Sequence, residues 1–141
     1  MKHLESDMQQ EIVSLLDSIF RVKYKAYCID LGDGPVCPIR SNKNEGKIVD
    51  EDGKYDRRTA MIKGRRNKRM GMKAGIPDLE LLIPKGEYHG LLIELKTQIG
   101  RVSKVQNKWL IYLQNQGYQA IVCRSVKDAV QAVANYMEGR V

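Results

Sequence analysis

Between Gly75 and Arg101 the sequence reads GIPDLELLIPKGEYHGLLIELKTQIGR, two apolar runs on either side of a polar, glycine-containing turn. This pattern predicts strands over about Asp78 to Ile83 and His89 to Lys96. The residues that follow restrict the fold further. Ser103 can cap a helix whose apolar positions are Val105, Trp109, Leu110 and Leu113, and Gly117 ends it. YQAIVCR is then a short, nearly all-apolar strand of the kind buried on both faces. A hairpin that passes through a helical crossover into another strand implies a mixed sheet with helices covering it.

The flanking segments add to this frame. Leu4, Met8, Ile12, Leu15, Leu16 and Ile19 recur at the helical period, and Ser6 with Gln9 has the form of a capping box. At the other end, Ser125 and Asp128 form a second such box before a helix with Val126, Ala129, Val130, Val133, Ala134 and Met137 on one side. RVKYKAYCIDLG, positions 21–32, is rich in β-branched and aromatic residues and predicts a strand. From Gly32 to Asp56 the chain is polar and broken by Gly, Pro, Asn and Asp, which predicts an insertion at the rim of the domain. The predicted order is helix, strand, insertion, strand, strand, helix, strand, helix, an α/β fold.

With 141 residues, 43% of them hydrophobic, the chain can build one domain with a real core but not two. Its net charge of +7 favours a polyanionic partner. The excess sits in one place: Arg57 to Lys73 holds eight basic residues and no acidic one, and without it the chain is at −1. Ala60, Met61 and Ile62 could anchor a short helix there, and Arg65, Arg66, Lys68, Arg69 and Lys73, with Arg101 and Lys104, are candidates for phosphate contacts that position a polyanion without reading its sequence. No recognition-helix pattern or aromatic interleaving points to base readout, and Trp109 reads as a core residue. Cys28, Cys37 and Cys123 are odd in number and form no C-x-x-C pair, and His3 and His89 are far apart, which argues against a disulfide framework or a structural zinc site. No signal-like or membrane-spanning apolar run occurs, so the expected location is cytoplasmic, with no membrane partner.

Side chains on a strand alternate faces, so Glu94 and Lys96 point the same way and Leu95 the other. Antiparallel pairing across the turn sets Asp78 opposite Glu94 or Lys96, and either register gathers all three on one face. Two carboxylates and an ammonium suit a hard divalent cation such as Mg²⁺, with Mn²⁺ as a substitute, and need no His or Cys. A bare E-x-K on a solvated face would instead be a surface salt bridge. Three details favour a site: Gly75 and Pro77 just before Asp78, the apolar run around Glu94, and the basic segment leading into Asp78. Glu11 lies at the edge of the first helix's apolar stripe, where the residues alone suggest a carboxylate reaching solvent.

KAGIPDL, YHGLLIELKT, GRVSKVQNKWL and QGYQAIVCRS together resemble the VRR-NUC (virus-type replication-repair nuclease) family of the PD-(D/E)XK superfamily, closely over Lys73 to Ser125 and more loosely over the first helix. The resemblance implies a restriction-endonuclease-like αβββαβ core in a single domain spanning the chain. It also implies that Asp78, Glu94 and the Leu95 carbonyl bind metal and that Lys96 positions or activates the attacking water. Glu11 would complete the site from the first helix, and Gln106 would match the family's glutamine, although Ser103 and Gln106 also form a capping box. The implied activity is metal-dependent, structure-selective cleavage of branched DNA such as Holliday junctions in replication or repair, by a homodimer. The alternatives are a non-catalytic nucleic-acid-binding module and a sequence-specific restriction-type endonuclease on the same core.

Overall fold

The computed structural model describes residues 4–42 and 51–140; His3 and positions 43–50 of the polar stretch lie outside the described residues. Helix α1 spans Leu4–Lys23, and strands β1, Ile29–Asp30, and β2, Pro35–Val36, form a small antiparallel ribbon. Strand β3 is Ile39–Ser41, and helix α2 is Arg57–Arg69. β4, Leu79–Leu81, β5, Leu91–Leu95, helix α3, Lys104–Asn115, β6, Gln119–Cys123, and helix α4, Val126–Met137, complete the described elements.

The main sheet has the order β3-β4-β5-β6, with antiparallel pairs up to β5 and a parallel pair between β5 and β6. This is the mixed sheet that the hairpin and crossover require. A two-residue turn closes the hairpin: Lys85 and Tyr88 exchange backbone hydrogen bonds at 3.0 and 2.9 Å, and Gly86 supplies the positive φ. Ser103 and Gln106 cap α3 reciprocally, and the Ser125 hydroxyl accepts the Asp128 N–H at the start of α4.

Strand parity divides the core into two layers. Leu79, Leu81, Leu91, Ile93 and Leu95 pack with Ile12, Leu16 and Phe20 of α1 and with Ala129, Val133 and Tyr136 of α4. Each fully buried leucine or isoleucine contributes roughly 1.5–3 kcal/mol. On the opposite face Leu92 and Ala120 meet Leu110 and Leu113 of α3, and Trp109 packs beside them as a partly buried core residue. β5 is buried along its whole length, and β6 contributes to both layers.

Three expectations near the N-terminus are corrected. No long strand occupies 21–32: α1 continues to Lys23, a 3-10 turn covers Lys25–Tyr27, and only Ile29–Asp30 is extended. Phe20 is buried and Tyr24 packs against the same core one turn later, so the helical stripe overrides local strand propensity. The strand that does enter the main sheet, β3, comes from the polar stretch assigned to an insertion; three residues with only Ile39 partly buried are too short for a periodic signal. Ser6 and Gln9 form no cap, since the helix starts before them and the Gln9 amide donates to the Ser41 hydroxyl at 2.8 Å.

The described chain forms two compact units, one from residues up to Asn42 and from Gly75 onward, the other from those between Lys43 and Ala74. In the second unit, the Asp56 carboxylate caps α2 by accepting the Thr59 N–H at 2.9 Å. The expected short helix is present, but no residue of it is buried: Ala60 is half-buried and Met61 and Ile62 are exposed. Among the described residues no helix is long and apolar enough to cross a membrane.

Candidate active site

The β4–β5 register pairs Leu79 with Ile93, which places Asp78 and Glu94 across from each other one position further on. This selects one of the two registers open to the sequence. Asp78 is 3% and Glu94 2% exposed, on the sheet face that α3 covers. Asp78 Oδ2 accepts the Leu95 N–H at 2.8 Å, so the aspartate is tied to the strand that carries Glu94.

The turn before Asp78 explains GIPD. Gly75 has φ +83, and a Cβ there would lie 2.7 Å from Val105 Cγ1 and 3.2 Å from the Gln106 nitrogen. The chain thus passes against the first turn of α3, where only glycine fits, before the buried Pro77 feeds Asp78 into the sheet. Gly75→Ala is expected to cost about 2 kcal/mol or more by combining a disfavoured φ with this clash, measurable by denaturant unfolding.

Glu94 carries the most unusual environment. Its Oε1 accepts from Gln106 Nε2 at 2.6 Å and lies 3.6 Å from the Lys96 ammonium, while Oε2 is buried with no hydrogen-bond partner. Burial first, then the Asp78 carboxylate, push Glu94 up to about 7, against the opposing pull of Lys96. A half-satisfied carboxylate beside a second acid is costly to a fold and suited to holding a positive ligand.

Gln106 both closes the helix cap and touches Glu94. Its Oε1 accepts the Ser103 N–H at 2.9 Å while its Nε2 reaches Glu94. The capping box therefore aims the amide at the acid. Past Lys96, Arg124 Nη1 donates to the carbonyls of Thr97 and Gly100 at 2.9 and 2.6 Å, holding the turn that follows the E-x-K strand.

Glu11 is exposed, where the residues alone placed it, off the line of Ile12, Leu16 and Phe20. Glu5 instead lies two turns before Ile12 on the buried side, is half-buried, and is the α1 carboxylate whose charge acts on Glu94. Glu80, on the same face as Asp78, is also nearly buried, but Arg40 of β3 holds it at 2.6 Å and the Asn42 amide donates to it at 3.3 Å. Among the described residues no three His, Cys, Asp or Glu side chains form a ready metal cage.

Of the basic residues, Lys104 opens α3 two positions before Gln106, and both it and Arg101 are exposed in the first unit. Arg65, Arg66, Lys68 and Arg69 are exposed on α2, and Lys73 just beyond it, in the second.

The comparisons with known proteins agree with this architecture. A solved structure, "VRR_NUC domain protein", superposes with a TM-score of 0.66 at 22% identity over 95% of this chain and 88% of its own, which shows a shared fold. No curated protein matches. The model of the VRR-NUC domain, a nuclease-type family, matches residues 52–127, more than half of the sequence and the whole stretch from the basic helix through the E-x-K strand to the start of α4. The chain belongs to the VRR-NUC domain family.

Proposed function

We propose that the protein is a metal-dependent, structure-selective DNA endonuclease that hydrolyses phosphodiester bonds in branched DNA such as four-way junctions. The observation that carries the reading is Glu94, buried opposite Asp78 with one oxygen held by Gln106 and Lys96 and the other unsatisfied. The donor set fits Mg²⁺ or Mn²⁺: Asp78, Glu94 and the Leu95 carbonyl would hold the cation, leaving positions for water and substrate phosphate. Once bound, the cation would supply Lewis-acid polarisation of the scissile phosphate and a lowered pKa for water.

The chain's own groups have separate tasks. Gln106 fixes the rotamer of Glu94, so that its unsatisfied oxygen is presented at a constant place. Lys96, 12% exposed, supplies a positive charge for the phosphate and a donor to orient the attacking water. Arg101, Lys104 and the α2 cations Arg65, Arg66, Lys68 and Arg69, with Lys73, contribute sequence-independent phosphate attraction. A two-fold dimer would present one such site to each of two strands at a junction.

We assign the α1 contribution to Glu5. Glu5→Gln should slow cleavage roughly tenfold or more, while Glu11→Gln stays within about twofold of wild type. Equal losses in single-turnover assays would remove the assignment.

Incubation with four-way junction, flap and linear duplex DNA in Mg²⁺, Mn²⁺ or chelator tests the whole reading. Metal-dependent cutting that favours the branched substrates supports it. Salt-sensitive binding without cutting would identify a non-catalytic binding module, and cutting at one short duplex sequence a restriction-type enzyme.

A further inference from the structure

The ribbon of β1 and β2 sets two cysteines face to face. Its register is Ile29 opposite Val36 and Asp30 opposite Pro35, and one step outward brings Cys28 opposite Cys37. Pro35 has no N–H, so Asp30 and Pro35 cannot be a hydrogen-bonded pair, and Ile29 with Val36 must be. By alternation Cys28 and Cys37 occupy a non-hydrogen-bonded position. Their own N–H groups agree: Cys28 donates to the Lys25 carbonyl at 3.2 Å and Cys37 to Asp17 Oδ1 at 2.9 Å, neither across the ribbon.

In non-hydrogen-bonded pairs of an antiparallel ladder Cα atoms are about 4.5 Å apart and the side chains share one face. Disulfides span Cα separations of about 4.4–6.8 Å. Both thiols are free, Cys37 is buried, and Cys28 is half-buried against the same cluster. Cys123, the remaining cysteine, lies in β6, at the opposite edge of the main sheet from β3, and serves as an internal control.

We propose that Cys28 and Cys37 form a thiol–disulfide site that a low-molecular-weight disulfide oxidises to an intramolecular cross-strand bridge. The Cys28 thiolate attacks one sulfur of the small disulfide, whose S–S bond breaks and releases one thiol. Cys37 then gives its proton to water and attacks Cys28 Sγ, and the mixed S–S bond breaks to release the second thiol. Two protein thiols are oxidised, one small disulfide is reduced, and the two protons lost by the protein balance those gained by the leaving thiols.

Burial first, then the nearby Asp17 carboxylate and Cys28, push the Cys37 thiol up to about 12. Cys28 is the less buried of the two thiols, so a mixed disulfide on Cys28 precedes the bridge. The bridge ties the end of α1 to the segment entering β3, and none of the groups around Glu94 takes part in it.

Both cysteines fall between Lys25 and Arg40, with no Lys or Arg intervening, so one tryptic peptide reports on the pair. The full chain is equilibrated with oxidised and reduced glutathione at pH 8, folded and in urea, then alkylated and analysed by mass. The expected result is a 26–40 peptide about 2 Da lighter than the unalkylated dithiol, with Cys123 alkylated, and a bridge favoured at least tenfold more in the folded than in the unfolded protein. Cys37→Ser should retain the glutathione adduct on Cys28; Cys28→Ser, which changes the less buried partner, should form no bridge. A folded-to-unfolded ratio of one or less, or a wild-type adduct that never closes, overturns the proposal.

Discussion

Asp78→Asn is expected to reduce metal-dependent DNA cleavage by roughly a thousandfold while leaving DNA binding and fold intact. The substitution keeps the shape and an oxygen able to accept the Leu95 N–H, now made at 2.8 Å, so the β4–β5 geometry survives. It removes one of the two buried negative charges that the proposed cation needs. It also removes the repulsion that helps raise Glu94, so the remaining acid ionises more readily yet stands alone. Single-turnover rates on a four-way junction measure the loss, and mobility shifts in chelator measure binding. Cleavage surviving within tenfold of wild type would show that Asp78 is not part of the chemistry.

Glu94→Gln should abolish cleavage too, but its larger interest lies in stability. A carboxyl raised from 4.5 to about 7 keeps its proton in the folded state at pH values where the unfolded chain has already lost it. Between those values the unfolded state binds fewer protons, so stability falls as pH rises, and above 7 the full penalty applies. For a shift of this size the penalty is on the order of 3 kcal/mol. The glutamine variant escapes it, since its Oε1 can still accept from Gln106. In chelator at pH 8 its Tm is therefore expected to exceed wild type by roughly 5–10 °C, with the difference shrinking towards pH 4.5. Adding Mg²⁺ or Mn²⁺ should raise the wild-type Tm and not the variant's. A variant less stable than wild type at pH 8 would contradict the assigned strain on Glu94.

The common face of Asp78, Glu94 and Lys96 was legible because it depends only on the period of a strand and a short turn. The caps at Ser103 and Ser125 were legible for the same local reason. Gln106 was ambiguous in sequence because a cap and a contact to the strand acid demand the same residue there, and only the structure shows the 2.6 Å hydrogen bond to Glu94 beside the cap. Glu11 and Glu5 differ in burial, which a motif does not show: Glu11 is exposed beside the stripe, whereas Glu5, close to the predicted start of the helix, is half-buried on it.

The sequence by itself therefore determined which elements exist over most of the chain, which side of the hairpin is charged, and where the positive excess is concentrated. Each follows from interactions between residues close in sequence. The tertiary structure alone decided that Asp78 faces Glu94 rather than Lys96, that a three-residue strand from the polar stretch edges the sheet, and that Ile29 pairs with Val36 in a small ribbon. These depend on pairing register and on packing between distant segments, for which neighbouring side chains supply no periodic signal.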